Sequence, residues 1–269
     1  MRGLSRASLA EVEERFNAVA GSADLGTLAD ELFSVADLLD REHGLRRNLS
    51  DPARPAAQKA QIVRVLLEGK ISDAAVETVV AAVSAKWARS RDLADALERL
   101  GVIAAAAEAE AQSRLDDVED ELFRFGRIVA SNLELYRTLT APAVLERAKR
   151  ELLSSLLAEK VAPTTLRLVT QLVLHPRGRS LESGLEEFGR LVAAQRQRLV
   201  AVVRSAVVLS EGQKQRLATW LRTSYGRDVH LNVEVDPRVL GGFSVRIGDD
   251  LIDTTIAGRI EEVRRRLAG

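Results

Sequence analysis

Apolar side chains recur at helical spacing through roughly the first 198 residues. Leu9, Val12, Phe16 and Val19 form one such stripe, and Leu28, Leu32, Val35 and Leu39 form the next. Ser8 stands three positions before Glu11, the spacing of a capping box, and predicts the start of the first helix. Helix-ending and helix-opening residues punctuate the pattern at Gly21, Gly26, Gly44, Asp51-Pro52, Gly69, Pro142, Pro163, and Pro176 with Gly178. Pieces of about 10–20 residues between such signals predict a bundle of short helices. From Leu93 to Ala130 there is no Pro and only Gly101 and Gly126, which predicts one long helix.

Beyond Leu199 the period changes. Val200 to Leu209 reads as a strand, and Ser210 with Gln213 caps a helix running through Leu217, Trp220 and Leu221 to Gly226. Val229, Leu231, Val233 and Val235 alternate with polar residues, as do Phe243, Val245 and Ile247. A turn at Gly248-Asp249-Asp250 predicts a hairpin into Leu251-Ile252, and Ile256 to Leu267 reads as an Arg-rich amphipathic helix.

The chain also resembles itself at an offset of 90. Asp30-Glu31-Leu32-Phe33 returns as Asp120-Glu121-Leu122-Phe123, and Pro52, Ala53 and Lys59 return as Pro142, Ala143 and Lys149. Residues 28–67 give 12 identities in 40 ungapped positions, where composition alone gives roughly 4. These matches predict two homologous short-helix bundles, 1–105 and 106–195, followed by a small α+β domain, 196–269, in a mainly α chain.

Composition then removes function classes. Lys+Arg and Asp+Glu both number 39 and aromatics are 4%, which leaves no basic, aromatic face for nucleic acid. The absence of cysteine excludes disulfides and thiolate chemistry and suits a reducing compartment. The longest apolar run, Val102 to Ala107, is far short of the roughly 20 residues a bilayer span needs. His43, His175 and His230 lie in separate segments with no second ligand at metal spacing, so surface or loop roles are expected of them. In residues 241–255, the pair Gly241-Gly242 enters a strand and precedes no helix, which lacks the geometry of a dinucleotide loop. Asp249 and Asp250 suit a turn, and Asp253 suits the positive end of the last helix. No catalytic residue, cofactor or metal is expected.

Taken together, residues 236–267 resemble the C-terminal signature of the delta subunit of bacterial F-type ATP synthases, the family of the mitochondrial oligomycin-sensitivity-conferring protein. Asp236, Gly241, Gly242, Arg246, Gly248, Asp253, Thr255, Arg259 and Ile260 occupy the pattern. Thr254 and Thr255 replace the usual Gly and Ser. Residues 166–188 are similar to the family's fifth and sixth bundle helices, and the duplicated bundle makes this chain longer than usual. The resemblance implies a non-catalytic peripheral-stalk subunit on the cytoplasmic face of the cell membrane. Its helical domain would hold the N-terminal helices of the alpha subunits, and its C-terminal domain the end of the membrane-anchored b stalk, with no nucleic acid and no membrane insertion. The groove for an alpha-subunit helix would lie between the first and fifth helices, which carry Val12 and Phe16, then Val76, Val80 and Val83. Arg246 would serve association, and Gly248 the turn. The alternatives are an E-type stalk subunit of a vacuolar or archaeal ATPase, or an unrelated helical adaptor for protein or RNA. The E-type reading requires one unbroken charged helix, against which Pro52, Pro55, Pro142 and Pro163 stand.

Overall fold

The computed structural model describes residues 3–196, 199–225, 229–236, 239, 242–247 and 250–253. These form two compact units, Met1–Gln195 and Arg196–Gly269.

The first unit is helical throughout. Its elements are α1 (Leu4–Ala20), α2 (Leu25–Arg41), α3 (His43–Ser50), α4 (Ala56–Leu67), α5 (Asp73–Ser84), α6 (Ser90–Ala111), α7 (Leu115–Ser131), α8 (Leu133–Thr140), α9 (Glu146–Leu157), α10 (Pro163–Leu174) and α11 (Leu181–Arg196). Helices α2 to α5 and α7 to α10 share their bounds at an offset of 90. Their tertiary capping repeats as well. Glu31 of α2 accepts from Ser72 N at 2.8 Å and from Ser72 Oγ at 2.5 Å, covering the open end of α5. Glu121 of α7 accepts from Ala162 N at 2.9 Å and from Thr165 Oγ1 at 2.5 Å, covering the open end of α10. Orphan N–H groups at a helix start need such partners, and in both places a carboxylate from a distant helix supplies one.

Helix α6 explains how the two sets join. It stands 90 residues after α1 and 90 before α11. It is therefore the sixth helix of a first half, α1–α6, and the first helix of a second half, α6–α11. It buries apolar side chains on opposite sides, Leu93, Leu97 and Leu100 on one and Val102, Ala106 and Ala109 on the other, with charged residues such as Asp95, Glu98 and Glu108 between them. It packs on α1, α2, α3 and α5, and also on α7 and α10. The boundary read at 105/106 falls inside this continuous helix. By contrast α1 and α11, at the two ends of the array, keep polar outer faces such as Arg6, Glu11 and Glu14, and Glu182, Glu186 and Arg190.

Three local expectations need correction. The single helix from Leu93 to Ala130 is broken at Gln112–Arg114, where Ser113 takes a left-handed φ of 57° and Arg114 N bonds back to Ala109 O at 2.8 Å. No Gly or Pro marks this stop, because the reversal is imposed by packing α7 against α6. Ser8 does not open α1, which begins at Leu4; it lies inside the helix, buried, and donates to Lys86 O at 2.6 Å. The Val-rich strand ends at Ser205, leaving Val207 and Val208 exposed beyond it.

The second unit is α+β: β1 (Leu199–Ser205), α12 (Glu211–Tyr225), β2 (Val229–Val235), β3 (Phe243–Ile247) and β4 (Asp250–Asp253). The sheet order is β2-β1-β3-β4, with β1 and β2 parallel across the α12 crossover and the other pairs antiparallel. Ser210 and Gln213 form the reciprocal cap expected of α12, Gln213 N to Ser210 Oγ at 3.4 Å and Ser210 N to Gln213 Oε1 at 2.8 Å. Val203, Leu209, Leu217, Leu221 and Val245 make a small separate core.

Candidate partner-docking site

The candidate groove residues come together on one pair of helices. Helix α1 packs along α5 and touches α6. It is tied to the α5–α6 loop by Ser5 and Ser8: Ser5 Oγ donates to Asp92 Oδ2 at 2.6 Å and accepts from Ala88 N at 2.9 Å. An ion pair of 2.7 Å joins Glu13 to Arg99. Between the helices, Val12, Phe16, Val76 and Val83 are buried, at most 2% exposed, while Val80 is half-buried. The stripe is thus closed by its own side chains, as an apolar stripe at helical spacing tends to be. Val80 and the flanking Leu9, Ala74 and Ala81 are half-buried.

In the second half the corresponding helices are α6 and α10. Here Leu166 and Thr170, the counterparts of Val76 and Val80, line a groove of about 510 Å³ between α2, α9 and α10, together with Phe33 and Leu174. Its polar edge is held by pairs from different helices: Arg167 with Asp30 at 2.9 Å, Arg167 with Glu108, and His175 Nε2 with Asp37 at 3.1 Å. Burial raises the Asp30 and Asp37 carboxyls above their ordinary range, against the pull of Arg167 and His175. His175 therefore faces a carboxylate that is far away in sequence, and spacing could not reveal it.

In the C-terminal unit, Arg246 is exposed on β3 while its neighbour Val245 is fully buried, as alternation requires. Gly242 has φ 79°, the left-handed region in which a Cβ is strained. Asp253 ends β4, opposite Ser244, and Asp250 belongs to that strand, not to the turn. Gly241, Gly248, Thr255, Arg259, Ile260 and the expected last helix lie outside the described residues.

The described residues contain no group of His, Cys, Asp or Glu suited to holding a metal ion. Nor do they contain a helix long and apolar enough to cross a membrane. What the described residues offer is a closed apolar seam between α1 and α5, a groove beside α10, and a small sheet with an exposed arginine. The profile of the ATP synthase delta (OSCP) subunit family matches residues 102–267, from within α6 to near the chain end.

The chain belongs to that family.

Proteins named ATP synthase subunit delta are similar over its whole length: 52% identical in Thermobifida fusca, covering all of both chains. The likeness is 52% in Streptomyces coelicolor, over all of this chain and 98% of the relative, and 47% in Acidothermus cellulolyticus, over all of both. The ATP synthase delta (OSCP) match begins within the shared helix, so one six-helix set, α6–α11, together with the α+β unit spans the family profile. Helices α1–α5 stand before it.

Proposed function

We infer that the chain is a peripheral-stalk subunit of an F-type ATP synthase, a non-catalytic link between the alpha subunits of the catalytic head and the b stalk. The observation that carries this reading is the full-length similarity to ATP synthase delta subunits at 52% identity. Two separate compact units suit a link with two ends, and a net charge of zero suits protein partners. Its place is the cytoplasmic face of the cell membrane, reached through the partners. Helices α1–α6 and α6–α11 are read as two copies of one bundle that share a helix.

The test is removal and return. Membrane vesicles stripped of the chain at low ionic strength should keep head-catalysed ATP hydrolysis but lose proton pumping. Adding back the purified protein should restore it. Pumping that survives complete removal would sink the reading.

For the alpha-subunit helix the proposal is the α1–α5 face, with Val80 in contact and Val12, Phe16, Val76 and Val83 fixing the spacing of the two helices from beneath. The open groove beside Leu166 and Thr170 favours a second reading, in which the helix lies between α2, α9 and α10, where the two halves meet. Val80→Asp and Thr170→Arg separate the two: whichever weakens binding of an alpha-subunit N-terminal peptide, in a variant with unchanged circular dichroism, identifies the face. At the other end, Arg246→Ala should weaken association with the b stalk and leave ATP hydrolysis by the head unchanged.

A further inference from the structure

Helix α2 lies along two helices of the second half at once. It runs antiparallel to α6 in a single register. A Cβ on Gly26 would meet the Glu108 carboxyl, the Phe33 ring rests against Gly101, and Asp40 shares the Arg177 guanidinium with the Ala94 carbonyl. Along α10 it runs parallel. Asp30 pairs with Arg167 at 2.9 Å, and Asp37 meets Gln171 Nε2 and His175 Nε2, each at 3.1 Å. Arg167 also holds Glu108, so one guanidinium ties α2, α6 and α10 together. On the stripe of α6 that carries Gly101, Ala94, Leu97, Ala104 and Ala105 are 0% exposed.

Helices α6 and α10 are the first and fifth of the second half, the counterparts of α1 and α5 at an offset of 90. In the first half the same stripe is open. Leu4, Ala7, Glu14 and Arg15 of α1, the counterparts of those four buried residues, are exposed. On α5 the counterparts of Arg167 and Gln171 are Glu77, exposed, and Ala81, half-buried. The seam that α2 fills in one half therefore exists unfilled in the other.

We propose that α2 is a built-in occupant of the α6–α10 seam, and that the α1–α5 seam takes one separate helix in the same pose, antiparallel to α1 and parallel to α5. This rests on the reading of α1–α5 as the face for an alpha-subunit helix. Duplication then leaves one seam of this kind open, not two. A helix joined to its seam by the chain competes at an effective concentration of about millimolar or more, so a free helix does not displace α2. The two seams differ in charge. Glu11 stands where Gly101 admits Phe33, and Glu77 stands where Arg167 holds Asp30. Glu77 already carries Arg64 at 2.6 Å on its outer side. The incoming helix thus presents basic side chains where α2 presents Phe33 and Asp30, beside an apolar edge for Val80 and Ala81.

The chain has no cysteine, so single cysteines in the full-length protein report the pose. Ala18 and Ala7, both exposed, are the counterparts of Glu108 and Leu97 and face the start and the end of the incoming helix. Those ends are about 17 Å apart along a helix, while a disulfide tolerates a Cα separation of about 7 Å. Ala18→Cys should therefore bridge a cysteine in the first turn of an alpha-subunit N-terminal peptide about tenfold faster than one in its last turn, and Ala7→Cys the reverse. Calorimetry should count one peptide per parent chain, and Glu11→Lys with Glu77→Lys should weaken it about fivefold. Two equivalent sites per chain overturn the built-in occupant. Reversed bridging overturns the pose, and unchanged affinity in the double variant overturns the basic partner face. A chain that binds no peptide yet restores proton pumping to stripped vesicles overturns this proposal alone. One that does neither overturns the stalk reading with it.

Discussion

Ser5 and Ser8 of α1 and Asp95 and Glu98 of α6 stand 90 residues apart and hold the same neighbour by different chemistry. In the first half, the two hydroxyls bond the backbone of the α5–α6 loop, at Ala88 N and Lys86 O. In the second half, the two carboxylates meet arginines of the α10–α11 loop. Trp87, buried with its indole N–H on Ala82 O at 2.8 Å, sits where Arg177 sits 90 residues later. One geometry is thus held once by serine hydroxyls, with the Asp92 carboxylate behind Ser5, and an aromatic plug, and once by arginine–carboxylate pairs. The charged version requires every ion to be compensated, and it responds to protons. A repeated backbone fixes where contacts occur and leaves their chemistry to vary.

The same lesson appears in Phe33 and Phe123. Both close an Asp-Glu-Leu-Phe run, yet Phe33 is 4% exposed and Phe123 is 66% exposed. A Cβ placed on Gly101 would stand 2.7 Å from the Phe33 ring, so the glycine is a notch that admits the ring. The corresponding residue of α11 is Leu191, itself buried, and no such notch is available to Phe123.

The largest expected effect that sharpens this contrast is Phe33→Ala. It should cost about 3–5 kcal/mol in urea unfolding of the helical unit, through the cavity left beside Gly101. A cost comparable to that of an exposed residue would break the contrast. Next come the two capping carboxylates. Glu31→Ala and Glu121→Ala should each cost about 1–3 kcal/mol, because buried N–H and hydroxyl groups lose their acceptor. The two values should agree within about 0.5 kcal/mol if the halves are equivalent here. Ser5→Ala should cost about 1–2 kcal/mol, since Asp92 loses its hydroxyl donor and Ala88 N loses its acceptor. Phe123→Ala should change stability by about 0.5 kcal/mol or less, in the same urea titration, because most of the ring already meets water.

Much of the α1–α5 seam was legible in the residues. The spacing of Val12 with Phe16, and of Val76 with Val80 and Val83, placed both sets on helices that do pack together. It could not say that the helices would close over them, since periodicity marks a buried face without naming what buries it. The offset comparison that paired Lys59 with Lys149 also pairs Ser5 with Asp95 and Ser8 with Glu98. Those positions differ in residue type, so identity counting could not reveal the charged contact at Asp95 and Glu98.

Local chemistry determined the short-helix pattern, the Ser210–Gln213 cap, the alternation around Val245 and the 90-residue recurrence. Each depends on near neighbours or on identical residues at fixed spacing. Tertiary structure alone decided that α6 serves both halves, that the chain reverses at Ser113, and that Arg177 is buried among Asp40, Asp95 and Glu98. Those outcomes depend on which surfaces far apart in the chain exclude water together. A helix with apolar side chains on opposite sides is compatible with many partners until packing selects among them.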